Sequence, residues 1–317
     1  MSWSAHAPAN IALIKYMGKL DKATNIPLNA SLSYTLEHLQ SHVSLTPHTG
    51  SADKWEPLEL ANVPPISLSP TAQTRFLHHL SRLKTYFNYP GTFIVRSANT
   101  FPHGAGLASS ASSFAALTKC AILALSELTQ TPQPTNSLQA ALSRLGSGSS
   151  CRSFFSPWSL WENDNVRAID LPYANLLHQV ILINESEKHI TSSLAHQYVT
   201  TSPHYADRAT RAQQRLTQLI TAFTQNNWAT AYQLCWDEFQ DMHDLFVTSF
   251  PSFSYMTQES GHILTILTKL WQQIGDGPLI TMDAGPNIHL LYRADQQELA
   301  HKIYHDYLRQ HHDILSI

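Results

Sequence analysis

The chain has 317 residues, with 20 Lys and Arg against 23 Asp and Glu, so its formal net charge is −3. At roughly 150 residues per domain this length predicts about two domains, and a hydrophobic share of 43% excludes a disordered chain. The charge balance lacks the basic excess typical of nucleic-acid binding, although cations gathered in one cleft can still bind a small anion.

The cysteines and the N-terminal sequence indicate the cellular compartment of the protein. Cys120, Cys151 and Cys235 lie far apart without CxxC or Cys/His spacing, which argues against disulfides and a zinc site. The first apolar stretch is short and carries Lys15 and Lys19 at its end, unlike a signal peptide, and no apolar run of about 18 residues predicts a membrane span. We therefore expect a cytoplasmic protein. Its 18 histidines include no HExxH motif, so no protein metal ligands are assigned.

Predicted strands and helices alternate along the chain. Before residue 162, strands are expected at 9–17, 28–36, 42–48, 55–60 and 92–97, and helices at 66–88, in the second half of 101–128 and at 137–145. After it, strands are expected at 177–184, 279–283 and 287–293, and helices at 205–225, 227–246, 257–274 and 295–310. The first two strands are expected to pair. Alternation without internal repeats indicates an α+β or α/β class, with a domain boundary near 160–180.

The segment over residues 101–113 has the composition of a phosphate-binding loop. Gly104 and Gly106 permit close backbone approach, and the small side chains that follow leave the backbone uncovered. A helix then begins, and its first N–H groups and its dipole favour an anion. The segment matches neither the Walker A nor the GxGxxG pattern, and a tightly packed helix start would have the same composition.

Three further segments carry candidate chemistry. In GSGSSCR, the hydroxyls of Ser147 and Ser149 with the Arg152 guanidinium suit a phosphate or a carboxylate, although a flexible loop is the alternative. Asp283 ends a strand before Gly-Pro, where it can face a cleft or cap a turn. Lys15 ends the first predicted strand, where it can meet an anion or solvent.

Together these segments resemble the GHMP kinase superfamily and, within it, the diphosphomevalonate decarboxylases. The similar segments, in the family's order, are APANIALIKYMGK, NIPLNASLSYTL, FPHGAGLASSAS, GSGSSCRS, KHITSS, MHDLFVTSFPSFSY and MDAGPN. The chain departs from the family's usual residues at Met17, Asn99-Thr100, Ser156-Pro157 and Ala195-His196. These departures put the substrate's chain length in question more than the type of reaction.

The resemblance implies a two-domain α+β fold of the GHMP kinase kind. Residues 1–175 would form an N-terminal ribosomal-protein-like domain that binds ATP, and residues 176–317 a ferredoxin-like α/β domain, with a cleft between them. The implied reaction uses ATP and Mg²⁺ to convert (R)-5-diphosphomevalonate into isopentenyl diphosphate, ADP, phosphate and CO₂, in the mevalonate pathway of isoprenoid biosynthesis. It also implies a homodimer, with Mg²⁺ held through the ATP phosphates and no nucleic-acid or membrane partner.

The resemblance also implies roles for individual residues. Asp283 would be the base or positioning group for the substrate's 3-hydroxyl, with Lys15 beside it. Arg152 would hold the substrate carboxylate and Ser149 would help to orient it. The implied substrate-binding residues are Tyr16, Lys19, Ser147, Ser149, Arg152 and Ser192. The implied ATP-binding residues are Asn10, Ser97, Asn99, Gly104, Ala105, Gly106, Leu107, Ala108, Ser109 and Ser110.

Other functions stay open at this point. A relative could decarboxylate mevalonate 5-phosphate, or act as a mevalonate 3-kinase that phosphorylates the 3-hydroxyl without decarboxylation. The Asp/Lys/Arg set favours the full decarboxylase, because elimination needs an enforced carboxylate geometry. A kinase for a sugar or an amino-acid alcohol fits the DAGPN and GSGSSCR segments less well. A non-catalytic protein would bind ATP without turnover.

Overall fold

The computed structural model describes residues 1–61, 63–101, 109–183, 190–308 and 313–316, with residue 308 and the last segment given by their backbone. The strands are β1 (Trp3–Ile14), β2 (Lys19–Asp21), β3 (Ile26–Pro27), β4 (Ser31–His48), β5 (Lys54–Pro57), β6 (Thr92–Asn99), β7 (Trp158–Glu162), β8 (Asn165–Ala168), β9 (Leu177–Leu182), β10 (Leu279–Met282), β11 (Ile288–Tyr292) and β12 (Asp313–Ser316). The helices are α1 (Pro70–Tyr86), α2 (Ser109–Thr129), α3 (Asn136–Arg144), α4 (Ser192–Tyr198), α5 (Arg208–Thr224), α6 (Trp228–Val247), α7 (Gln258–Ile274) and α8 (Gln297–Ile303). A 3₁₀ helix covers Gly148–Phe154.

The first sheet is built around the long strand β4. Its order is β5-β6-β4-β7-β8, and β1 also pairs with β4. The predicted pairing of the first two strands is confirmed, with Ile11 opposite Tyr34. The strands expected at 28–36 and 42–48 are one continuous strand. The register against β1 shifts between Pro8 and Ala9, where proline lacks the N–H that a regular ladder requires.

The second sheet has the order β10-β11-β9-β12, and every pair in it is antiparallel. The helix predicted over 295–310 is confirmed as far as Leu308, although its second half is π-helical, and the strand that follows was not predicted. α8 ends at Ile303, a π-helical turn covers Tyr304–Leu308, and the chain returns to the sheet as β12. β12 pairs with β9, so the C-terminal residues complete the sheet that carries Asp283 at the end of β10.

One hydrophobic core joins the two sheets. Ile11 and Trp158 from the first sheet belong to the same buried cluster as Val180 and Leu290 from the second. The predicted boundary between residues 175 and 176 falls in the connection from β8 to β9. Because the core is continuous across that connection, the division into two domains stays a prediction.

α2 is long and apolar enough to cross a membrane by length and composition alone. However, 72% of its most apolar 18-residue window is buried within the protein. Ala115, Ala116 and Ala121 are fully buried there, and such small side chains let a helix approach its neighbours closely. α2 is therefore a core helix of this fold, and its N-terminus points a row of backbone N–H groups at one place.

Candidate active site

A cleft of about 360 Å³ brings most of the predicted site residues together. Ten of them line it: Lys15, Tyr16, Lys19, Ser109, Ser110, Ser147, Ser149, Arg152, Ser192 and Asp283. They come from the segment after β1, the start of β2, the N-terminus of α2, the 3₁₀ helix and the residue before it, the start of α4 and the segment after β10. The predicted residues Gly104, Ala105, Gly106, Leu107 and Ala108 lie outside the described residues.

A buried ion pair lies in the wall of the cleft. Lys15 Nζ is 2.8 Å from Asp283 Oδ1. Both residues line the cleft, and the carboxylate is the more accessible of the two, with side chains that are 2% exposed for Lys15 and 26% exposed for Asp283. Burial lowers the pKa of the Lys15 ammonium, against the opposing charge of Asp283. Burial alone would raise the pKa of the Asp283 carboxyl, but the charge and hydrogen bond of Lys15 hold that pKa below its usual value. Asp283 is therefore ionised at neutral pH and can accept a hydrogen bond from a substrate hydroxyl.

The main chain on both sides of this pair is fixed by hydrogen bonds. His243 Nε2 donates to the carbonyl of Asp283 at 3.1 Å, and the N–H of Gly285 donates to the same oxygen at 2.8 Å. Asn29 Nδ2 donates to the carbonyl of Lys15 at 2.9 Å. His243 belongs to the MHDLFVTSFPSFSY segment on α6, which accounts for that segment's place among the similar motifs.

A buried network of α5 and α6 holds Lys15, and the sequence analysis missed it. Glu238 Oε1 accepts from the N–H of Lys15 at 2.9 Å, and Arg208 Nη2 donates to the carbonyl of Lys15 at 3.3 Å. Arg208 is hydrogen-bonded to both Glu238 and Asp241, and Arg208 and Glu238 have no exposed side-chain surface. The spacing of Arg208, Arg211 and Arg215 on one face of α5 is a signal for an ion-pair surface, but only the structure identifies Glu238 and Asp241 on α6 as its partners.

Glu238→Gln is expected to lower the free energy of unfolding by about 3 kcal/mol or more, because it removes the fully buried one of the two carboxylates that pair with the buried Arg208 charge. Urea unfolding of the wild type and the variant measures the change. Asp306→Asn is the matched control, since Asp306 forms an exposed pair with Lys302 at 2.9 Å and exposed pairs contribute little to stability. Equal losses in the two variants would contradict the role of the buried network.

Arg152 is oriented by hydrogen bonds on one side. Its Nε donates to Asn10 Oδ1 at 3.0 Å and its Nη1 donates to Ser31 Oγ at 2.9 Å. A guanidinium has five N–H donors, and three of them have no hydrogen-bond partner among the described residues at a side chain that lines the cleft. Asn10 also donates to Ser153 Oγ at 2.8 Å. The structure thus places Asn10, predicted to bind ATP, behind Arg152 and not among the residues that line the cleft.

Ser97 and Asn99, also predicted to bind ATP, do not line the cleft in the described part of the chain. Ser97 Oγ accepts from Trp55 Nε1 at 2.9 Å, and Asn99 Oδ1 accepts from Ser41 Oγ at 2.7 Å. Ser41 is also 2.7 Å from Ser112 Oγ in the first turn of α2. Asn99 therefore helps to anchor the N-terminus of α2, and the direct ATP contacts of both residues stay predictions.

One end of the cleft, lined by Lys19 and Arg75, is rich in hydroxyls and cations. Ser147 Oγ lies 3.4 Å from Ser110 Oγ, which brings the 3₁₀ segment and the N-terminus of α2 together. Burial lowers the pKa of Lys19, and the charges of Arg75 and Lys22 lower it further. Repulsion of this kind is relieved when an anion binds between the cations. This end of the cleft is therefore suited to phosphate groups.

Both parts of the chain are similar to one family of known proteins. Residues 7–169 match the diphosphomevalonate decarboxylase-like N-terminal domain, and residues 179–317 match the mevalonate 5-diphosphate decarboxylase C-terminal domain. The diphosphomevalonate decarboxylase of Eremothecium gossypii is 31% identical, over 93% of this chain and 78% of the relative.

Solved structures of named decarboxylases have a fold similar to that of this chain. The crystal structure of a mevalonate diphosphate decarboxylase from Legionella pneumophila is 57% identical, with a TM-score of 0.94 over 99% of this chain and 100% of that chain. A structure of MDDEF in complex with MVAPP, AMPPCP and magnesium is 26% identical, with a TM-score of 0.87 over 99% of this chain and 96% of that chain. The predicted α+β fold is confirmed by these likenesses. With both parts matched, the chain belongs to the diphosphomevalonate decarboxylase family.

Proposed function

We propose that the protein is a carboxy-lyase that uses ATP to convert (R)-5-diphosphomevalonate into isopentenyl diphosphate, ADP, phosphate and CO₂. The observation that carries this proposal is the placement of the Lys15–Asp283 pair and Arg152 in one cleft with a hydroxyl-rich, cationic end. These groups match the three chemical features of the substrate. A tertiary hydroxyl would face Asp283, a carboxylate would face Arg152, and the diphosphate would lie towards Lys19.

The first step is phosphoryl transfer to the 3-hydroxyl. This oxygen attacks the γ-phosphorus of ATP, the bond to the ADP oxygen breaks, and the hydroxyl proton passes to the Asp283 carboxylate. Asp283 Oδ1 accepts a hydrogen bond from Lys15 Nζ at 2.8 Å. Its Oδ2 has no hydrogen-bond partner among the described residues and can accept from the substrate. The nearby ammonium of Lys15 can stabilise charge that develops on the transferred group.

The second step is elimination. The C3–O bond breaks and phosphate leaves with its electron pair, while the electrons of the bond to the carboxylate carbon form the alkene and CO₂ departs. Arg152 loses its anionic partner when neutral CO₂ forms, so tight binding of the carboxylate by itself would oppose this step. We therefore assign Arg152 to orientation of the carboxylate, a role for which its fixed hydrogen bonds to Asn10 and Ser31 suit it.

ATP and Mg²⁺ fit the site through phosphate contacts. Ser109 and Ser110 begin α2 beside the cleft, where helix N–H groups can bind phosphate oxygens. Among the described residues, no three or more His, Cys, Asp or Glu side chains lie close enough to hold a metal. Mg²⁺ usually keeps several waters and binds through substrate phosphates, with the hydroxyls of Ser110 and Ser147 available beside them. When bound, Mg²⁺ neutralises phosphate charge during transfer.

Mass spectrometry of a substrate labelled with ¹⁸O in its 3-hydroxyl tests this function. The expected products are isopentenyl diphosphate and inorganic phosphate that carries the label, because the hydroxyl oxygen leaves with the transferred phosphoryl group. Formation of both products should require ATP. A 3-phosphorylated product that accumulates with its carboxylate intact would contradict the proposal and favour the kinase alternative. Unlabelled phosphate would also contradict it, because that phosphate would come from hydrolysis of ATP by water.

EDTA is expected to abolish turnover without lowering Tm, because the described residues contain no cluster of three metal-ligating side chains that would stabilise the fold. A turnover assay and a thermal melt on the same sample measure both quantities. Added MgCl₂ should restore turnover. A large fall in Tm with EDTA would show a structural metal and contradict this assignment.

Organisation and location are part of the same proposal. The family matches over 7–169 and 179–317 support a division into an ATP-binding domain at 1–175 and a second domain at 176–317 that contributes Asp283. We propose a cytoplasmic homodimer, because the family resemblance implies one. Light scattering of the purified protein measures the mass of the assembly against 35.5 kDa for one chain.

A further inference from the structure

A second cavity of about 300 Å³ adjoins the cationic end of the cleft. We call it the basic recess and define it by its cationic and imidazole side chains, Lys19, Lys22, Arg75, Arg82, His78, His79 and His196. Lys19, Arg75 and His196 line both cavities, so they mark the junction. No carboxylate belongs to the described lining of the basic recess. The junction is therefore a place where a phosphate group would meet positive charge on several sides.

His196 lies at this junction with a fixed ring orientation. Its Nδ1 accepts a hydrogen bond from the backbone N–H of Gly18 at 3.0 Å. The ring packs against Tyr16, with 4.5 Å between the ring centres, and the residue is 8% exposed. Since Nδ1 is the acceptor, the proton of the neutral ring must be on Nε2.

The ring stays neutral over the physiological range. Burial, with a further contribution from the charge of Lys19, lowers the pKa of His196 to about 3. No hydrogen bond to Nε2 is found within the described ranges. His196 therefore offers one directed N–H to the junction without adding a cation to Lys19 and Arg75.

We propose that His196 is a specificity-determining residue that donates its Nε2–H to the terminal phosphate of the substrate's diphosphate. The inference rests on the proposed function, because it assigns a role within that substrate's site. A mevalonate that carries a single phosphate has no terminal phosphate to reach the junction. His196 thus favours the diphosphate over the monophosphate.

Two substitutions separate this role from a purely structural one. His196→Asn keeps a group near Nδ1 that can accept from Gly18 but removes the donor at the position of Nε2. His196→Gln keeps an amide N–H near the position of Nε2 but gives up the acceptor for Gly18. In His196→Asn, the ratio of kcat/KM for the diphosphate to kcat/KM for the monophosphate should fall by about 10-fold. The fall should come from a higher KM for the diphosphate. In His196→Gln the ratio should return towards the wild-type value.

Steady-state kinetics on both substrates test the proposal, with His262→Asn on the exposed face of α7 as the control. An unchanged ratio in His196→Asn, or equal losses on both substrates in both variants, would overturn it.

Thermal stabilisation by inorganic pyrophosphate gives a readout that does not depend on activity. Pyrophosphate should raise the Tm of the wild type and His196→Gln more than that of His196→Asn, and equal shifts in all three would also overturn it. A wild type inactive on both substrates would refute the proposed function, while the pyrophosphate shifts would still decide the role of His196.

Discussion

Asp283→Asn is expected to lower turnover by about 10²–10⁴-fold, the contribution of a positioned general base, while ATP binds nearly as before. The carboxylate is held ionised by Lys15 at 2.8 Å. An amide of the same shape keeps its place in the cleft but cannot take the hydroxyl proton. Single-turnover measurement of ADP formation, with ATP affinity measured separately, tests both parts.

A control and a double variant isolate the chemical effect. Asp295→Asn changes a carboxylate whose side chain is 70% exposed and should leave turnover unchanged. Asp283→Asn also leaves buried Lys15 without its partner, which should lower stability, and adding Lys15→Met should restore stability but not turnover. Turnover by Asp283→Asn near the wild-type rate would show that another group takes the proton.

Arg152→Lys is expected to lower kcat/KM by about 100-fold, or roughly 3 kcal/mol, the value of hydrogen bonds to a charged group. A lysine cannot keep the contacts to Asn10 and Ser31 and also present a fork to a carboxylate. The substrate carboxylate would then be poorly oriented for loss of CO₂. We expect some ADP to form without CO₂ in this variant, which a paired assay of the two products detects.

Arg167→Lys is the matched control for Arg152→Lys. Arg167 pairs with Glu162 at 3.3 Å, and its side chain is 51% exposed, so kinetics near the wild type are expected. If Arg152→Lys also gave near wild-type kcat/KM with equal ADP and CO₂, a different residue would have to hold the carboxylate.

The strands around the site were predictable where the sequence pattern was strong. The segments that became β1 and the start of β4 alternate and are apolar, and they pair as expected. β7 and β8 were missed although Asn163, which has a positive φ of 53°, and Asp164 form a two-residue turn between them. Asn-Asp before a short polar strand is a weaker hairpin signal than Asn-Gly, so the pattern did not indicate this pair.

The positions of individual side chains in the cleft were also difficult to predict from the sequence. Lys15, Asp283 and Arg152 come from distant parts of the chain, and the family motifs were needed to predict that they meet. Motif position could not distinguish a residue that lines the cleft from one behind it. Asn10 lies behind Arg152. Glu238 lies in an α6 segment of ordinary amphipathic appearance, and its contact with Lys15 arises only from the packing of α6 beside β1.

The most direct test measures CO₂ and ADP together from one reaction with Mg²⁺, ATP and either mevalonate 5-diphosphate or mevalonate 5-phosphate. Equal amounts of CO₂ and ADP are expected from the diphosphate, with much less of both from the monophosphate. ADP without CO₂ from the diphosphate would contradict the central claim that the cleft couples phosphoryl transfer to decarboxylation.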